Sequence, residues 1–115
     1  PEAIGPYSQA VEHKGVLYIS GQIPLDPATG KLVEGDMKLQ ADRVFKNIGA
    51  ILESAGYDFS NVLKTTCLLT DMEDFKILNE VYATYFTQNL PARAAYAVKA
   101  LPAGARIEIE AIAAK

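Results

Sequence analysis

Residues 90–98 read LPARAAYAV, a single permanent cation, Arg93, among small and apolar side chains. Side chains alternate along a strand, so Arg93 is expected to share a face with Ala95 and Ala97, while Ala94, Tyr96 and Val98 point the other way. Small neighbours leave room in front of the guanidinium, whose planar fork of donors matches a carboxylate. Two readings follow: Arg93 anchors a substrate carboxylate, or it forms a structural ion pair with an acidic residue on the adjoining strand. Ile107-Glu108-Ile109-Glu110 supplies such residues, with both glutamates on one face of a strand and both isoleucines on the other. If that face meets Arg93, charges of both signs gather there. Like charges roughly 6–7 Å apart along a strand raise one of the two pKa values, which suits a group that accepts or relays a proton. The alternative for the glutamate pair is a solvated sheet face.

The remaining chemistry-bearing residues offer less. His13, the only histidine, falls in an expected hairpin turn at the surface and would have to build a catalytic triad or metal site alone, so no metal site is expected. One cysteine, Cys67, rules out an internal disulfide and a cysteine-based zinc site, and its setting TTCLLT reads as a strand with an inert, buried thiol. Neither a P-loop nor a GxGxxG stretch is present. Tyr7, Ser8, Ser20 and Asn79 are candidate hydrogen-bonding groups of a pocket, or else turn residues, caps and satisfied polar groups.

Composition bounds the partners. A net charge of −3 without any lysine or arginine cluster argues against capture of nucleic acid or an anionic membrane. The longest apolar runs are a few residues, far from the roughly 20 that a bilayer requires. PEAIGPYSQ has neither the basic start nor the apolar core of a signal peptide, so a cytosolic, or else organellar, location is expected.

The elements that must position these groups follow from periodicity. With 115 residues, half of them hydrophobic, the chain is expected to form one domain, residues 1–115. Val11-Glu12 and Val16 to Ser20 flank His13-Lys14-Gly15 as a hairpin. Pro24, Asp26-Pro27 and Thr29-Gly30 break the next stretch into a loop. From Asp36 to Ala55, Ala41, Val44, Phe45, Ile48, Ile51, Leu52 and Ala55 recur at helical spacing, with Gly56 as the stop. Val62 to Thr70 reads as a central strand apolar on both faces. Asp71 or Asp74 can cap a second helix, lined by Phe75, Leu78, Tyr82, Tyr85 and Phe86 and ended by Asn89 and Pro91. Strands at 93–98 and 106–113, joined by a turn at 101–104, complete a β-β-α-β-α-β-β order, an α+β fold with two helices on one sheet. Two helices cover only one face of that sheet. The other needs a cover as well, and further copies of the chain are the economical one, so a homo-oligomer is expected.

Gly5-Pro6-Tyr7-Ser8-Gln9-Ala10, Ile19-Ser20-Gly21-Gln22, Asn79 within FKILNEVY, Pro91-Ala92-Arg93, and Ile107 to Ala113 occur in order from residue 4 to the end. On these motifs the chain resembles the RidA/YjgF family of enamine/imine deaminases. The resemblance implies a chorismate-mutase-like α+β fold assembled as a homotrimer, with sheets facing inward in a barrel and pockets between subunits. It implies hydrolysis of 2-imino acids such as 2-iminobutanoate and 2-iminopropanoate, products of pyridoxal-phosphate-dependent dehydratases, to 2-keto acids and ammonia, with no cofactor of its own. By the same resemblance Arg93 holds the substrate carboxylate, Glu108 positions and activates water, and Tyr7, Ser20, Gly21 and Asn79 belong to the pocket, some reaching it from a neighbouring subunit. Glu110 shares the facing of Glu108 and is the weaker candidate. Many members carry cysteine where Ala95 stands, so Ala95 either contributes its backbone amide or changes the pocket wall. The first edge strand is expected to be short or absent. Expected partners are a small 2-imino or 2-keto acid and copies of the chain, with neither nucleic acid nor membrane. Two other functions stay open: a trimeric small-carboxylate-binding regulator without turnover, and a ribonuclease or translation inhibitor, which the acidic balance disfavours.

Overall fold

Lys14 and Gly15 both take positive φ, 50° and 78°, the conformation of a two-residue turn whose twist matches that of the strands it joins. They connect β1 (Ala10–His13) to β2 (Val16–Gln22), and β1 is present but only four residues long. The computed structural model describes all residues from Pro1 to Lys115. No helix in it is long and apolar enough to cross a membrane.

Helix α1 (Met37–Ser54) begins where Asp36 accepts a hydrogen bond from the Leu39 amide at 2.9 Å. It buries Ala41, Val44, Phe45, Ile48 and Leu52 on one stripe and stops before Gly56, which has φ of 83°. Strand β3 (Val62–Leu69) follows, then α2 (Phe75–Tyr85), β4 (Ala92–Ala97) and β5 (Ile107–Ala114). Asp71 caps the short 3-10 turn that leads into α2. Asp74 makes no cap hydrogen bond and instead receives Arg106 Nη2 at 3.0 Å.

The sheet runs β1-β2-β5-β3-β4, antiparallel throughout except for the β3–β4 pair. Both helices lie on one face, where Cys67, Leu69, Ile107, Ile109 and Ala113 join the aliphatic side of α1 in the main core. On the opposite face Tyr18 and Tyr96 remain about half exposed, at 50% and 51%. That bare face, which carries Lys64, Thr66, Glu108 and Glu110 beside its apolar side chains, is the uncovered side anticipated from the helix count.

One expectation is overturned. The strands carrying Arg93 and the two glutamates are consecutive in sequence, but they are not neighbours: β3 lies between them. The cause is α2, which carries the chain back so that β4 joins β3 in parallel, after which residues 98–106 cross to the other side of β3. Register then decides the faces. Arg93 stands beside Thr65 and Ala111 in the row facing the helices, whereas Glu108 stands beside Leu68 and Tyr96 in the row on the bare face. Within one chain the cation and the carboxylate are therefore on opposite sides of the sheet.

Candidate active site

Arg93 lies on an edge strand and is exposed, so its orientation depends on what reaches it from α2. Phe75, Asn79 and Tyr82 recur at four- and three-residue spacing, which places them on one stripe of the helix. All three meet the guanidinium. Asn79 Oδ1 accepts from Nη1 at 2.8 Å, and Cζ lies over the Tyr82 ring at 4.8 Å and over the Phe75 ring at 5.2 Å from their centroids. The ion pairs of the chain are Lys46–Asp42 and Arg106–Asp74, so the structural ion pair considered for Arg93 does not form. What remains is an oriented guanidinium without a carboxylate partner in its own chain, the arrangement that receives an external anion.

Ala95 shares Arg93's face, as alternation requires, and is half-buried against the core opposite Cys67. Cys67 itself is fully buried, and burial pushes its thiol up to about 11, with Thr65 and Arg93 opposing weakly. A thiol held neutral in this way is no nucleophile.

Glu108 occupies a different setting. It lies on the central strand β5, half-buried, in a pocket whose walls include Tyr7, Gln9, Gly21, Gln22 and Ile23. Gly21 lies where the β2–β5 register shifts between Ile19 and Gln22, and a Cβ there would collide with Glu108 Oε2. The missing side chain is what gives the carboxylate its place. Burial, followed by the charge of Glu110, raises the Glu108 pKa above the ordinary carboxylate value. Glu110 is exposed on the same face and adds to the shift, but burial of Glu108, the more enclosed member, is the larger cause.

The other anticipated residues divide between structural and pocket roles. Tyr7 is partly exposed and lines the Glu108 pocket. Ser20 Oγ donates to the Ser8 carbonyl at 2.6 Å, tying β2 to the segment that carries Tyr7. Four side chains were not singled out for the site from sequence. Gln22 is buried, with Nε2 donating to Gln9 Oε1 at 2.7 Å and to the Ser20 carbonyl at 3.1 Å, and both glutamines help to wall the pocket. Phe75 and Tyr82 looked like core alone. The available signal was Asn79 interrupting their apolar stripe, since an amide amid aromatics marks a polar partner close by. No group of three His, Cys, Asp or Glu side chains converges as a metal would require.

A family profile described as Endoribonuclease L-PSP matches residues 1–115. A mouse protein named 2-iminobutanoate/2-iminopropanoate deaminase is 60% identical over 113 residues, covering 98% of this chain and 84% of its own. Its human counterpart, named likewise, is 58% identical over 98% of this chain and 82% of its own. Among solved structures, RidA from an Antarctic Psychrobacter superposes with a TM-score of 0.96 at 49% identity, over 100% of this chain and 93% of that one. E. coli TdcF with bound serine gives 0.94 at 39% identity, over 100% and 92%.

Proposed function

The chain belongs to the Endoribonuclease L-PSP family, also called RidA/YjgF, and from that premise we propose that it hydrolyses 2-imino acids such as 2-iminobutanoate and 2-iminopropanoate to 2-keto acids and ammonia. Arg93 carries the reading: it is exposed, oriented by Asn79 and two rings, and free of any carboxylate in its own chain. The names of the mouse and human relatives support the same activity.

In the proposed reaction Arg93 holds the substrate carboxylate and thereby aligns the imine carbon. Glu108 takes a proton from water as the oxygen attacks that carbon, and the C=N π electrons move to nitrogen. Glu108 then returns its proton to nitrogen, which gives the neutral carbinolamine. Glu108 next takes the carbinolamine hydroxyl proton and passes it to the amino nitrogen as the C=O forms and the C–N bond breaks, so ammonia leaves the keto acid behind. A carboxylate whose pKa is raised by burial and by the charge of Glu110 suits a group that takes up and hands on protons. Because Arg93 and Glu108 lie on opposite faces of one sheet, the complete site is assembled between subunits of a homotrimer, with Arg93 from one and Glu108, Tyr7 and Gly21 from its neighbour. The bare sheet face supports such an assembly, with the sheets turned inward. The lone buried, unpaired cysteine fits a reducing compartment such as the cytosol.

The test is a coupled assay in which threonine or serine is fed to a dehydratase. Purified protein is expected to accelerate ammonia or keto-acid release, and Arg93→Ala to abolish the acceleration; an Arg93→Ala protein with full activity overturns the mechanism. A second reading, small-carboxylate binding without turnover, is favoured by the serine bound to TdcF. Calorimetric binding of 2-oxobutanoate beside a null deaminase assay would establish it. RNA cleavage, which the family's description names, has little support in a chain of net charge −3 with no basic cluster.

A further inference from the structure

Two buried hydroxyl groups on the helix side of the sheet stand against Arg93 and have no role in the reaction above. Thr65 is the register partner of Arg93 across β3 and β4 and is 1% exposed. Its Oγ1 lies 2.8 Å from the Tyr82 hydroxyl. The Tyr82 ring in turn carries the guanidinium at 4.8 Å, while Phe45 meets it edge-on at 5.7 Å and Phe86 packs at 4.6 Å. The core thus holds the ring, and Thr65 holds its tip.

A bidentate contact to a carboxylate needs the plane of the guanidinium fixed as well as its position. The single hydrogen bond to Asn79 fixes one donor and leaves rotation about that bond. A second constraint must come from a surface the guanidinium lies against, and Tyr82 offers one whose tilt is itself pinned. Apolar packing alone does not call for the two hydroxyls, since replacing a buried hydrogen-bonded pair by apolar groups of the same shape is close to neutral for stability. We propose that Tyr82 and Thr65 form a positioning pair that sets the plane of the Arg93 fork and so the strength of carboxylate binding. The inference rests on Arg93 being the carboxylate anchor.

Titration calorimetry with 2-oxobutanoate, together with kcat and KM in the coupled dehydratase assay, tests it on Tyr82→Leu, Tyr82→Phe, Thr65→Val and Thr65→Ser. Loss of both the ring face and the hydroxyl in Tyr82→Leu is expected to weaken binding roughly tenfold. Tyr82→Phe and Thr65→Val, which lose one hydrogen bond, are expected to weaken it about threefold to fivefold. Thr65→Ser restores the hydroxyl and is expected to bind like the wild type. Holding the carboxylate is common to substrate and transition state, so KM is expected to rise, and kcat to fall to the extent that a tilted fork misaligns the imine carbon. Should Tyr82→Leu fail to fold, Tyr82→Phe, Thr65→Val and Thr65→Ser carry the test. Wild-type binding by Thr65→Val and Tyr82→Phe, alongside an Arg93→Ala protein that does not bind, overturns the positioning role and leaves the anchor intact. Normal binding by Arg93→Ala overturns the anchor itself. Loss in Thr65→Val that Thr65→Ser does not reverse also overturns the inference, because it assigns the effect to packing.

Discussion

Arg93 and Glu108 are held in opposite ways. Arg93 projects from β4, an edge strand with mostly exposed residues, and depends on side chains of another element, Asn79, Phe75 and Tyr82 of α2, for its direction. Glu108 sits on β5, the middle strand of five, paired on both sides, and its place is defined by an absence, the missing side chain of Gly21. A long flexible cation on an edge needs dedicated contacts to lose its freedom. A short carboxylate on a rigid strand needs only room. The two also face away from each other across the sheet, so a single chain does not bring them together.

The widest contrast is between binding and turnover. Glu108→Ala is expected to lower the deamination rate by about 10²–10⁴-fold, the usual contribution of a general acid–base group, while 2-oxobutanoate still binds. Arg93→Ala is expected to lose that binding as well, and titration of both variants separates the two halves. Gly21→Ala comes next. Its new Cβ displaces the Glu108 carboxylate, so activity is expected to fall roughly 10-fold to 100-fold, with little change in melting temperature because the colliding atoms are the mobile end of a side chain. A wild-type rate for Gly21→Ala would show that the carboxylate's place is not set by this approach.

A smaller effect concerns pH. The Glu108 pKa is raised in the fold, so the native state binds the proton more tightly than the unfolded chain, and stability falls as pH rises from the ordinary carboxylate value to the raised one. Glu108→Gln removes that loss and is expected to melt slightly higher than wild type at neutral pH but not at acidic pH. Activity runs the other way, since the attacking water needs the ionised carboxylate, and is expected to decline as pH drops through the raised value. Melting curves that keep the same difference between wild type and variant at both pH values would contradict this.

Local structure was readable where single residues decide it. Asp36 and Gly56 bound α1, Lys14-Gly15 turns the first hairpin, and the isoleucines and glutamates of β5 take opposite faces as alternation demands. The bare second face also followed from counting helices. Strand order did not, because the β4–β5 relation depends on where α2 returns the chain, a non-local choice that no residue in 90–113 records. Two charged strands adjacent in sequence looked adjacent in space, although the family resemblance already implied pockets between subunits. Tyr82 stayed hidden for a related reason: at helical spacing an aromatic that packs the core and one that also carries a cation have the same pattern.

Subunit mixing tests the central claim most directly. Arg93→Ala and Glu108→Ala, each inactive alone, are unfolded together in equal amounts, refolded and assayed with the dehydratase. If the half-sites meet between subunits, random assembly pairs an intact Arg93 with an intact Glu108 at some interfaces, and roughly a quarter of wild-type activity returns. If mixed oligomers form and no activity returns, the account of a site shared between chains is wrong.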